Sequence, residues 1–150
     1  IDATKGSRSM LRTITVVILL LLAIQFLIGM LVNLFVTIPN SHPGTKAAEY
    51  FSGVVQGDVW ALTHGQLPLV LHVITGILLF LGASIVIGLA IASRRRAWIV
   101  TAVLGWLGIV TAGFNGASFL NYGENFSSLL MAIGFLLAVI PYAIGFYVTR

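Results

Sequence analysis

Charged side chains are excluded from four long stretches of this chain, and that exclusion limits what it can fold into more than any other feature. No Asp, Glu, Lys or Arg occurs at 13–45, 59–93, 97–123 or 125–149. A hydrocarbon core about 30 Å thick is crossed by about 20 apolar residues in a helix, and each stretch is long enough to supply one. Soluble domains carry about 25% charged residues; here the charged share is 8% and the hydrophobic share 59%. The chain therefore reads as an all-α integral membrane four-helix bundle, one domain over 1–150, with spans at 11–38, 66–92, 97–117 and 126–148.

The sequence pI near 10 invites a nucleic-acid reading, but the basic residues are sorted along the chain rather than gathered on one face. Lys5, Arg8 and Arg12 precede the first span, Arg94, Arg95 and Arg96 join the second to the third, and Arg150 follows the fourth, so seven of the eight basic residues share one side. Lys46, Glu49, Asp58 and Glu124 fall on the other. Because Lys and Arg are retained on the cytoplasmic face, both termini and the arginine turn are expected inside, in a plasma (inner) membrane. The partners expected are the lipid bilayer and other membrane subunits, and no nucleic acid. The apolar run from Ile14 to Val36 is longer than a secretory signal and lacks a small-residue cleavage site, so it reads as a retained helix. The absence of cysteine excludes a disulfide, an iron–sulfur cluster and a covalently attached haem.

One connection is long, the outer loop at 39–65. Connections of that length carry function or structure of their own. Within it Ala47, Tyr50, Phe51, Val54 and Val55 recur at helical spacing, which predicts a short amphipathic helix on the outer surface of the bundle or in the headgroup layer. Thr45 is the expected cap, Gly53 and Gly57 weaken the far end, and Trp60 reads as an interfacial aromatic. Small residues recur every four positions at Ser84, Gly88 and Ala92 on the second span and at Gly108, Ala112 and Gly116 on the third. These stripes are the expected meeting faces of the two spans, since lipid offers little hydrophobic drive and close backbone approach takes its place. Gly134 and Ala138 continue the pattern on the fourth span, where Pro141 predicts a kink.

The chemistry-bearing residues are few. Gln25, Gly29 and Asn33 form one stripe on the first span, placing two amides against a neighbour. His72 stands about 9 Å into the second span at 1.5 Å per residue, and His64, Pro68 and His72 recur every four residues from the loop inward. Similar depths on the other spans hold Met30, Asn33, Thr111, Asn115 and Met131, a polar and sulfur-bearing layer. A buried imidazole can ligate haem iron or relay protons, which makes His72 a candidate ligand with His64, His42, Met30 or Met131 as its partner. The loop groups His42, Glu49, Asp58 and His64 match no compact metal motif.

Four spans, an extended loop and the segment Thr63-His64-Gly65-Gln66-Leu67-Pro68-Leu69-Val70-Leu71-His72 resemble one half of the haem A synthase family, and also other four-helix membrane b-type cytochromes. That resemblance implies haem b and electron transfer. The residues themselves favour a non-catalytic accessory or structural subunit of a larger membrane complex, because so small a bundle leaves little room for an active site. The alternatives are a haem b protein ligated through His72 and a small channel or carrier lined by Gln25, Asn33, His72, Thr111 and Asn115.

Overall fold

The computed structural model describes residues 3–148, and side chains over 9–147. Arg150 and the side chains of Lys5 and Arg8, which belong to the basic set above, lie outside the described residues. Five helices follow one another: α1 (Ala3–Phe35), α2 (Tyr50–His64), α3 (Leu67–Ala92), α4 (Arg96–Tyr122) and α5 (Asn125–Val148). Ser9–Phe35 of α1, all of α3 and α4, and Asn125–Tyr147 of α5 are long and apolar enough to cross a membrane. No strand occurs among the described residues. α4 is longer than the expected span 97–117, continuing to Tyr122, where Gly123 adopts φ +68° and donates its N–H to Phe119 O at 2.9 Å. That left-handed residue ends the helix because only glycine takes it without a Cβ penalty. At the opposite end α3 turns into α4 within a few residues, with Arg94 at φ +54°.

The four long helices close into a ring in which α1 lies between α3 and α5, and α4 likewise between α3 and α5. The closest of these pairings is α4 with α5. A Cβ on Gly108 would strike the backbone of Leu137 and Ala138, and one on Gly134 would lie 2.6 Å from Ala112 N and 2.9 Å from Gly108 O. Further along the same seam the Gly105 face receives the Tyr142 ring, with Cζ 2.7 Å from where a Cβ would stand, and Gly116 faces the Met131 sulfur. The stripe Gly108, Ala112 and Gly116 therefore serves α5.

This corrects the pairing expected between the stripes of the second and third spans. On α3 the residues facing the core are Leu79, Ala83, Val86 and Ala90. Ser84, Gly88 and Ala92 turn away from that row and are exposed, and nothing lies within 4 Å of a Cβ placed on Gly88. α3 meets α4 instead through larger groups: Trp106 Nε1 donates to Ser84 Oγ at 3.0 Å, and the Phe80 and Trp106 rings lie 5.8 Å apart. The reason is reciprocity. α4 and α5 each carry small residues where they face one another, so both backbones can close in, whereas Gly88 and Ala92 of α3 meet no small stripe on α4.

α1 continues the ring with Leu11, Thr15, Ile18 and Leu22 buried on one stripe. The Thr15 hydroxyl donates to Leu11 O at 2.8 Å, which satisfies it within its own helix. Toward the arginine turn, the Arg12 guanidinium lies 5.2 Å from the Phe146 ring centre and ties α1 to α5. α5 runs unbroken through Pro141.

Replacing Gly108 with Ala forces the α4 and α5 backbones apart, a strain of about 1–3 kcal/mol. Gly113, with nothing within 4 Å of its Cβ position, tolerates the same change. Thermal melts in detergent should show a lowered midpoint for Gly108→Ala and an unchanged or raised one for Gly113→Ala.

Candidate functional site

Two places gather polar side chains: the interface of α1 with α3, and the seat of α2 on the end of the bundle. At the first, Gln25 and His72 form an interhelical pair. Gln25 Nε2 lies 3.3 Å from His72 Nε2 and 3.1 Å from the His72 carbonyl oxygen. One amide nitrogen close to two acceptors uses both its hydrogens, so the His72 ring accepts at Nε2 and carries its proton at Nδ1. Both helices make room reciprocally. The His72 ring occupies the space a Gly29 Cβ would take, with Cε1 3.0 Å away, and the Gln25 amide faces the bare Cα side of Gly76 at 3.4 Å. His72 Nδ1 and Gln25 Oε1 are buried without partners.

The rest of the expected polar layer does not converge on this pair. Asn33 is exposed, because Gly29 already stands level with His72 and one further turn carries α1 to the first turn of α3. Met30 is 40% exposed and points away from the bundle. Asn115 Nδ2 donates to Thr111 O at 2.8 Å, a bond within α4, and Met131 rests on Gly116 between α4 and α5. His64 is not in line with His72: it closes α2, is exposed, and its Nδ1 lies 2.7 Å from Thr63 Oγ1, while Pro68 and His72 belong to α3. Among the described residues no group of three His, Asp or Glu is placed to hold a metal ion.

The second place is built by α2 and the loop before it. Glu49, not Thr45, caps α2, its carboxylate accepting from the backbone N–H groups of Phe51 and Ser52. Thr45 instead holds the loop, its hydroxyl accepting from His42 N at 3.1 Å. The face that α2 buries is also not the expected one. Gly53, Gly57 and Ala61 face the bundle, while Phe51, Val55 and Val59, two residues and so about half a turn earlier, are 64%, 62% and 54% exposed. The small stripe faces inward because of Asn121. Its side chain, only 2% exposed, fills the volume that a Cβ on Gly57 would claim, while a Cβ on Gly53 would strike Ala47 and one on Gly44 the α2 backbone at Gly53 and Gly57. The Asn121 carbonyl accepts from Lys46 N at 3.2 Å.

His42 completes the seat. Its ring stacks on Trp60 at 4.3 Å between centres, and its nitrogens lie 2.9 Å from Pro43 O and 3.2 Å from Leu120 O. Both partners are backbone carbonyl oxygens, which tie the ring to the loop and to the end of α4. The role of Asn121 is not legible in the sequence. The available signal was glycine at 44, 53 and 57 in one loop, but nothing in the sequence pairs those positions with a side chain on a later helix. Comparison with known proteins gives no matching family model, no matching curated protein and no matching solved structure.

Two measurements test these assignments. Replacing Gln25 with Leu removes both bonds to His72 and should lower stability by about 1–2 kcal/mol, the range of interhelical polar contacts in membranes, read as a lower unfolding midpoint in micelles. On α2, burial raises the Asp58 carboxyl above its ordinary value of 3.8. Folding then favours the protonated form, so its contribution is complete below pH 3.8 and is lost as pH rises through the raised value. Asp58→Asn should melt higher than the parent at pH 7 and match it well below pH 3.8.

Proposed function

We propose that this chain is a non-catalytic subunit of a larger membrane assembly, lying in the membrane with both termini and the arginine turn on the cytoplasmic side and α2 on the other. The charge asymmetry supports that orientation, since Arg12 and Arg94–Arg96 gather at one end of the bundle and Lys46, Glu49, Asp58 and Glu124 at the other. The observation that carries the subunit reading is the open face of α3. Gly88 meets no atom of its own chain within 4 Å of a Cβ position, with Ala92 exposed one turn on and Ser84 exposed one turn before. Small residues in that spacing are what membrane helices use to bring backbones together, and here the bundle uses the Ser84 hydroxyl, which accepts from Trp106, but leaves Gly88 and Ala92 unspent. A neighbouring subunit's helix is the occupant that gives the stripe a use.

The polar groups support the same reading. His72 directs Nε2 to Gln25, His42 holds the loop against Leu120, His64 bonds to Thr63, and the two candidate methionines lie on different sides of the ring. Haem ligation through His72 Nε2 requires the Gln25 bond to break and a second ligand to move, and α5 carries no histidine to serve. A conduction path through Gln25, Asn33, His72, Thr111 and Asn115 is likewise not favoured, since Asn33 stands outside the bundle and Asn115 is bonded to its own helix.

The test is purification from the native membrane with parent and Gly88→Leu chains in parallel. The parent should be colourless and carry larger membrane chains in fixed ratio, and Gly88→Leu should lose them while its own melting midpoint stays put. A reduced-minus-oxidised α band that disappears with His72→Ala would instead make the chain a b-type cytochrome.

A further inference from the structure

α2 carries two apolar stripes on opposite sides, and the bundle uses only the small one. The outward stripe is made of large residues, Phe51, Val55 and Val59, spaced four apart so that they share a face. Between the stripe and its polar flank lies a shallow groove lined by Val55, Val59 and Trp60 together with Gln56, Thr63 and His64. Round the helix from the stripe run Ser52, Gln56 and Thr63, a polar edge in which Gln56 Nε2 donates to Ser52 Oγ at 2.8 Å. The helix thus has three strips: small residues to the bundle, polar residues on one flank, and large apolar residues facing outward.

The start of α2 reaches down the side of the bundle. The Tyr50 hydroxyl lies 2.7 Å from Ser118 Oγ and donates to Phe114 O at 3.3 Å. Phe114 stands eight residues before the last residue of α4, about 12 Å along the axis at 1.5 Å per residue. The Phe51 ring meets the Phe114 ring edge-on at 6.2 Å, and Phe114 is itself 43% exposed on the outer wall of α4. The α2 stripe is therefore continuous with the apolar wall that the long helices present to their surroundings.

We propose that α2 is an interfacial membrane helix, with Phe51, Val55 and Val59 embedded in the acyl–headgroup boundary of the leaflet on the α2 side. The occupant of this face is lipid. Tyr50–His64 contains no Lys or Arg and one acid, Asp58, so attraction to anionic headgroups has no part in the insertion and zwitterionic lipid suffices. Embedding of this kind takes an apolar face about 5–10 Å below the headgroups, within the distance that Phe51 and Tyr50 span along α4. The inference rests on the four long helices being membrane spans, and the experiment reports on that separately.

The chain has no cysteine, so single cysteines can be placed at will. The full chain is reconstituted in phosphatidylcholine vesicles with a nitroxide label at Phe51→Cys, Val55→Cys or Val59→Cys. Gln56→Cys marks the polar edge, and Ile85→Cys, 59% exposed on α3, marks the span wall. Collision rates with oxygen and with a water-soluble nickel chelate are then compared. The stripe positions should favour oxygen several-fold over nickel relative to Gln56→Cys, as Ile85→Cys does, and adding anionic lipid should not change the ratio. Nickel reaching the stripe as freely as Gln56→Cys, with Ile85→Cys still shielded, overturns the proposal and leaves the spans intact. Neither reagent reaching the stripe also overturns it and assigns that face to protein, a second copy or a subunit. Nickel access at Ile85→Cys as well overturns both readings.

Discussion

The approach of the α4 and α5 backbones at Gly108 and Gly134 is the contact on which the remaining geometry depends. In an apolar surrounding, helices gain little from hiding hydrophobic side chains, so the free energy of association comes from packing density. A glycine opposite a glycine allows backbone-to-backbone contact over the turns where Ala112 and Ala138 also sit. Once that pair is set, the short arginine turn holds α3 beside α4, and α1 has one opening left between α3 and α5. The end of α4 is set too, and with it the position of Asn121, on which α2 is seated.

Polar groups follow the same economy of space. Gln25 and His72 each lie against a glycine on the opposite helix, so a two-residue polar inclusion fits between α1 and α3 without pushing them apart. Its effect is specificity as well as stability: turning or sliding α1 against α3 strands the His72 carbonyl, the His72 ring and the amide in hydrocarbon at once. The α2 seat repeats the device at the bundle end, with Asn121 as the inserted group and Gly57 as the gap.

How far the sequence reaches is clear from particular residues. The absence of charge over four stretches was enough to read the number and approximate position of the long helices, because burying an unpaired charge in hydrocarbon is the largest single penalty available. Gly53 and Gly57 showed that α2 was unusual without showing why. The row at Ser84, Gly88 and Ala92 and the row at Gly108, Ala112 and Gly116 have the same spacing, and periodicity assigns each to a face but names no partner for it. Choosing α5 over α3 as the neighbour of Gly108 needs knowledge of which small residues stand opposite in space. Asn33 failed for a related reason: its stripe was read correctly, but where α3 begins relative to α1 is a matter of three dimensions. The Gln25 and Gly29 half of that stripe was legible because both polar and small residues point to an interface whatever the partner.

The seat of α2 also has a temporal side. The loop at 36–49 and α2 precede α4 in the chain, yet Leu120 and Asn121, which hold His42, Lys46 and the glycines, come near the end of α4. During synthesis the loop and α2 therefore emerge before the residues that will anchor them exist. Until the third long helix has been made and inserted, the loop lacks its bonds to Leu120 and Asn121, although α2 can already rest on α3 through Ala61 and Leu69. Seating of α2 is consequently completed late in biogenesis, and a chain interrupted before Leu120 has all the residues of α2 and their packing on α3 but not the α4 half of the seat.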